Sequence, residues 1–69
     1  MFIVKQSFLF RIFDESRDCK MVQSGEGTGK SINSAKEKAF KNAKAELRKL
    51  YKGYSLKCKG IFKPMVTEL

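Results

Sequence analysis

Ser24-Gly25-Glu26-Gly27-Thr28-Gly29-Lys30-Ser31, leading into Ala35-Lys36-Glu37-Lys38-Ala39-Phe40-Lys41-Asn42-Ala43, is the stretch on which the fold turns. Its first half alternates glycine with polar residues and predicts a flexible connection over about 24–33. Its second half repeats apolar residues at helical spacing. Ala35, Ala39, Ala43 and Leu47 recur with Phe40, Leu50 and Tyr51 beside them. Ser34 followed by Glu37 has the form of a capping box, in which each side chain satisfies a backbone donor that the helix leaves free. Gly53 is a natural stop. The pattern predicts an amphipathic helix over about 35–52, rich in good helix formers.

Upstream of the glycines the period changes from helical to two. Phe2, Val4, Phe8, Phe10 and Ile12 fall on one face of an extended segment, interrupted only by Gln6. Lys5, Ser7 and Arg11 mark the other face, mixed with Ile3, Leu9 and Phe13. This predicts a long, half-buried strand over about 2–13. Asp14-Glu15-Ser16-Arg17-Asp18 is a run of turn formers, and Cys19 to Gln23 predicts a second strand, so the pair reads as an antiparallel hairpin. Downstream of the helix, Tyr54, Leu56 and Cys58 alternate with Ser55, Lys57 and Lys59, predicting a strand over about 54–62 with a bulge near Gly60. Pro64 cannot donate to a ladder, which predicts that pairing ends there and leaves 64–69 as a tail. The expected architecture is α+β: one small β-β-α-β domain, with a three-stranded, mostly antiparallel sheet and the helix packed on one face.

Composition narrows the function. A chain of 69 residues allows one domain and buries only about 60% of its unfolded surface, which disfavours a two-lobed enzyme with a deep cleft. A hydrophobic fraction of 42% supports a small packed core. With no His and two Cys, a His/Cys zinc site and a histidine-based triad are excluded. There is no convincing carboxylate pair either, so no catalytic machinery and no cofactor are expected. Asp14, Glu15 and Asp18 are read as the hairpin turn, not as a metal site. Cys19 and Cys58 fall on inward strand faces and read as free thiols of a reducing, cytoplasmic compartment. No run of about 18 apolar residues exists to span a membrane, and Met1-Phe2-Ile3-Val4-Lys5 does not have the form of a signal peptide.

The formal charge of +8 is unevenly placed. Residues 1–29 balance four basic against four acidic side chains, whereas residues 30–63 carry eleven basic ones against Glu37 and Glu46. Such asymmetry points to a polyanionic partner. On the helix, Lys41, Lys44, Arg48 and Lys52 fall on one stripe, with Lys36, Lys38 and Lys49 elsewhere. The outer sheet face would show Lys5, Arg11, Lys20, Lys57 and Lys59, and the sequence does not choose between the two faces.

Gly29-Lys30-Ser31 matches the end of a P-loop, yet Ser24 stands where that motif begins with glycine, and no apolar strand ending in Asp follows. A nucleotide triphosphatase is therefore disfavoured. A glycine-rich turn at a helix N-terminus still offers free N–H groups and a positive dipole end to a phosphate, with a plain flexible loop as the alternative. Ile3, Leu9 and Phe13, opposite the presumed core, read as a dimer or partner interface in preference to nucleic-acid stacking residues.

The run from Gly25 to Leu47 resembles the end of double-stranded RNA-binding domains, where a G-x-G-x-[SG]-K loop leads into a helix patterned A-K-x-x-A-x-x-x-A. It is also similar to the glycine-rich stretch of a small-subunit ribosomal protein that shares that fold. The resemblance covers the glycine loop and the following helix only, about a third of the chain. Here two extra residues precede Ala35-Lys36, and a strand follows the helix where that family ends. By position, the resemblance implies phosphate contacts at Lys30, Lys36 and Lys38, with recognition largely by duplex shape.

The function expected from these readings is a non-enzymatic nucleic-acid-binding module, with duplex favoured. It would grip the backbone through Gly27, Gly29, Lys30, Ser31, Lys36, Lys38, Lys41, Lys44 and Arg48. The alternative is a small inhibitor or adaptor, of the kind mobile elements encode, that meets an acidic protein surface through Ile3, Leu9 and Phe13. Homodimerisation is compatible with either.

Overall fold

A computed structural model describes residues 1–69, in the order β1 (Phe2–Phe13), β2 (Asp18–Gly29), α1 (Ile32–Leu50), β3 (Ser55–Ile61) and β4 (Met65–Glu68). The fold is α+β, with one helix on one face of an antiparallel sheet. The Cα extents of 44 × 19 × 14 Å give a slab whose long axis is set by the two 12-residue strands.

β1 is the spine. One edge pairs with β2 over its whole length, from Phe2↔Gly29 to Phe13↔Asp18. Its other edge pairs with β3 over Phe8–Phe13 and with β4 over Phe2–Lys5. β3 and β4 thus lie end to end along the same edge, and the sheet is three ribbons wide but four strands long in sequence. The expectation of a three-stranded sheet with an unpaired tail is corrected accordingly. Pro64 removes one donor but does not end the pairing, because the break falls opposite Gln6 and Ser7, which fill it. The Phe62 amide donates to the Ser7 carbonyl at 3.0 Å, and Gln6 Nε2 donates to the Phe62 carbonyl at 2.8 Å. Gln6, the polar interruption of the apolar face, is buried for this purpose. The bulge near Gly60 is present: the register slips between Leu9↔Gly60 and Phe10↔Cys58, leaving Lys59 as the extra residue.

The turn at Asp14–Arg17 is closed by its own side chain. Asp14 Oδ1 accepts from the Ser16 and Arg17 amides, each at 2.8 Å, and from Ser16 Oγ at 3.1 Å. These bonds hold the Asp14 carboxyl below the ordinary aspartate range, with the Ser16 amide as the largest cause.

The glycine run is a strand, not a loop over 24–33. Ser24 through Gly29 continue β2, and the register puts Gly25, Gly27 and Gly29 on the same side as Gln6, Val4 and Phe2, beneath the helix. Strand propensity argues against glycine here, and tertiary packing overrides it. A Cβ on Gly27 would overlap the Ala35 carbonyl and the Ala39 amide, and one on Gly29 would lie 2.8 Å from Ser34 Oγ. Glycine on the strand and Ala35, Ala39 and Ala43 on the helix are matched surfaces that let backbone meet backbone. Towards the other end the layers part, and larger side chains fill the space. Phe8, Phe10, Ile12, Ala43 and Leu47 form one core cluster, with Cys19, Met21, Phe40, Leu56 and Cys58 packed against it. Burying a side chain such as Phe10 or Ile12 contributes about 1.5–3 kcal/mol.

Helix α1 starts at Ile32, ahead of the expected Ala35. Ser31 is the N-cap, its Oγ accepting from the Ser34 amide at 3.1 Å, so the Ser34–Glu37 capping box is not used. Ser31 is as good a cap as Ser34, and the earlier start places Ser34 and Ala35 over Gly29. The helix ends at Leu50, and Gly53, at φ 85°, turns the chain towards β3. Cys19 and Cys58 are free thiols, pairing with Ile12 and Phe10 on opposite edges of β1, so a strand stands between them.

Candidate nucleic-acid interface

The two basic faces that composition leaves equivalent differ in how many unpaired cations they carry. On the open sheet face, Lys5 stands opposite Glu26 in the register but makes no ion pair with it. Arg11 Nε and Nη2 donate to both carboxylate oxygens of Asp18, at 3.0 and 2.7 Å, and the Arg11 guanidinium lies 4.3 Å from the centre of the Phe13 ring. Its charge is answered on the spot, which lowers the Asp18 pKa and raises that of Arg11 through this hydrogen bond. Lys20 and Lys57 flank Arg11 across the sheet and, with Lys5, are the cations left over.

Helix α1 carries Lys36, Lys38, Lys41, Lys44, Arg48 and Lys49 against Glu37 and Glu46. Its single ion pair is Lys49–Glu46 at 3.4 Å, exposed and weak. Because Ala35, Ala39, Ala43 and Leu47 are buried, the turn geometry places Lys41 and Arg48 on the face pointing away from the sheet, with Lys44 beside them. Lys44 Nζ lies 5.8 Å from the centre of the Phe40 ring. Lys36 and Lys38 occupy opposite flanks. Lys38 joins Lys41, Asn42, Glu26 and Thr28 in a polar depression on the β2 side. There, Asn42 Nδ2 donates to the Glu26 carbonyl at 2.6 Å and fixes helix to strand.

The remaining expected residues separate. Lys30 is exposed in the short link between β2 and α1. Gly27 and Gly29 are buried under the helix, and Ser31 is engaged as its cap, so these three form no open phosphate cradle. Ile3, Leu9 and Phe13 do lie on the open sheet face, all half-buried. Ile3 is six residues from Leu9, about 20 Å along a strand, so the three do not form one patch. Leu9 instead pairs with Val22, an exposed residue that alternation alone left in the background.

Sequence reasoning also passed over a groove on the helix side. Helix α1 overlies β2 and β1 and leaves the far end of β3 and all of β4 without a covering layer. The resulting groove, about 770 Å³, is lined by Gln6, Phe8, Lys36, Phe40, Cys58 and Ile61, with Glu37, Lys59 and Gly60 completing it. Phe8 and Phe40 meet edge to face at 5.2 Å and form its floor. Gln6 breaking an otherwise apolar strand face was the visible signal.

No three His, Cys, Asp or Glu side chains come together to hold a metal ion, and no helix is long and apolar enough to cross a membrane. Comparisons with protein-family models, curated proteins and solved structures find no match.

Proposed function

We propose that this protein is a non-enzymatic nucleic-acid-binding module that grips the phosphate backbone with helix α1. The observation that carries this reading is the run of unpaired cations along α1. The cations Lys36, Lys38, Lys41, Lys44 and Arg48 make no ion pair and lie along one helix, whereas on the sheet face Arg11 is neutralised by Asp18 and only Lys5, Lys20 and Lys57 are unpaired. Unpaired cations along one rigid helix release counterions when phosphates replace them, which gives affinity without sequence readout. Gly27, Gly29 and Ser31 stand outside this interface and serve packing and capping, while exposed Lys30 extends it beyond the helix.

A mobility-shift series with duplex RNA, duplex DNA and single strands at two salt concentrations tests it. Neutralising about four phosphates should give a log–log salt slope of about −3.6 on duplex DNA and about −2.8 on a single strand. A flat salt response across all polynucleotides overturns the reading and favours an acidic protein surface as the partner.

A further inference from the structure

We propose that the groove between the Lys36–Phe40 flank of α1 and strand β3 receives an unpaired base, making a single strand the preferred ligand. This rests on the phosphate-binding reading above and adds what lies beside the phosphates.

Three features of the groove converge on a nucleotide. Its floor is apolar, the half-buried Phe40 ring backed by Phe8, which is 2% exposed, with Ile61 as a wall that is 71% exposed although it lies on the helix side of the sheet. An exposed apolar surface of this kind, against aromatic rings, suits the face of a base. Its sides carry Lys36 and Lys59, placed where a backbone entering and leaving the groove would pass. Lys44 continues the line past Phe40 along the helix.

The third feature is Gln6. Its side chain is 7% exposed and makes one hydrogen bond, from Nε2 to the Phe62 carbonyl. A carbonyl oxygen only accepts, so this bond fixes the amide orientation and leaves Oε1 without a protein partner. No side-chain polar atom is both fully buried and unpartnered, so Oε1 keeps contact with solvent, and Gln6 lines both this groove and the depression beside Gly25, Lys63 and Met65. A free acceptor on a residue that lines an apolar cleft can take a donor from a ligand. The exocyclic amine or ring N–H of a base supplies one, and pairing in a duplex would occupy those same donors. Glu37, also in the lining, repels phosphate from its own end and accepts from the same kind of donor.

The experiment is fluorescence anisotropy at low salt with three probes: a labelled single strand, the same strand with abasic sites, and a duplex. Each is read with the native chain and with Ile61→Asn, a neutral change at an exposed position that leaves the lysines in place. The native chain should bind the intact strand about tenfold more tightly than the abasic one, and Ile61→Asn should erase that preference while duplex binding stays the same. Equal affinity for intact and abasic strands, with a steep salt slope retained, overturns the groove proposal and leaves the basic-helix reading standing. No binding of any probe overturns both. Tighter binding of an acidic amphipathic peptide than of any oligonucleotide, lost in Ile61→Asn, reassigns the groove to a protein and also overturns the proposal.

Discussion

A Cβ built on Gly25 lies 2.8 Å from the amide nitrogen of Ala43 and 2.9 Å from its Cβ, and overlaps the Ala39 carbonyl outright. The obstacle is helix backbone, which cannot swing aside as a side-chain tip can. Gly25→Ala or Gly27→Ala must therefore lift α1 off β2. Overpacking of this kind costs about 3 kcal/mol or more. Gly60→Ala is the control, since its Cβ would meet Leu9 at an ordinary 3.5 Å. Denaturant midpoints should fall sharply for the first two variants and hardly move for the third. Equal midpoints would show that the close approach is not needed.

The glycines also mark where the fold was legible and where it was not. Period two over Phe2–Ile12 and period 3.6 over Ala35–Leu47 each follow from burial of one face, and both elements are present. Gly25, Gly27 and Gly29 carry no side chain, so they emit no apolar signal for a strand even though they alternate with period two. Their fit appears only once the alanines of α1 are placed above them. Met65–Glu68 was hidden for a different reason: all four residues are exposed, and pairing is secured by β1 and by the Gln6 bond across the gap. At the site, the lysines were visible as letters but their pairing was not. Asp18 neutralises Arg11 only after the hairpin brings them together.

Ser31 gives a smaller and more local test. As the N-cap, its hydroxyl satisfies one of the free amides of the first turn. Ser31→Ala should cost about 1 kcal/mol of stability, whereas Ser31→Gly should cost only a few tenths. Thermal melts of the two variants separate a capping role from a general requirement for serine. If Ser31 instead held phosphate, nucleic-acid affinity would drop before stability did.

Acid should weaken the fold through two turn carboxylates. Asp14 is held below its ordinary range by the Ser16 amide, and Asp18 by Arg11, so both are more acidic folded than unfolded. The stability they add is fully present above the unfolded aspartate pKa of about 3.9 and is lost as pH falls through the lower folded values. With no His in the chain, no side chain has an ordinary pKa near neutrality. Melting temperature should be flat from about pH 8 down to about pH 5 and fall below that. Asp18→Asn should flatten part of the acid limb, and added salt should shrink the difference because the pair is exposed.

The two basic faces yield opposite expectations. Replacing Lys41, Lys44 and Arg48 by Ala removes three unpaired cations from α1, none of them a buried residue. The salt slope should become shallower by about 2 to 3, close to one step for every phosphate no longer neutralised. Lys5→Ala, Lys20→Ala and Lys57→Ala together remove the cations left over on the sheet face and should leave the slope nearly unchanged. Leu9→Asp, opposite Val22 on that same face, should keep both the fold and the nucleic-acid affinity. Titrations at several salt concentrations decide the matter. If the sheet-face triple changes the slope and the helix triple does not, the phosphates lie on the open sheet, and α1 is its scaffold.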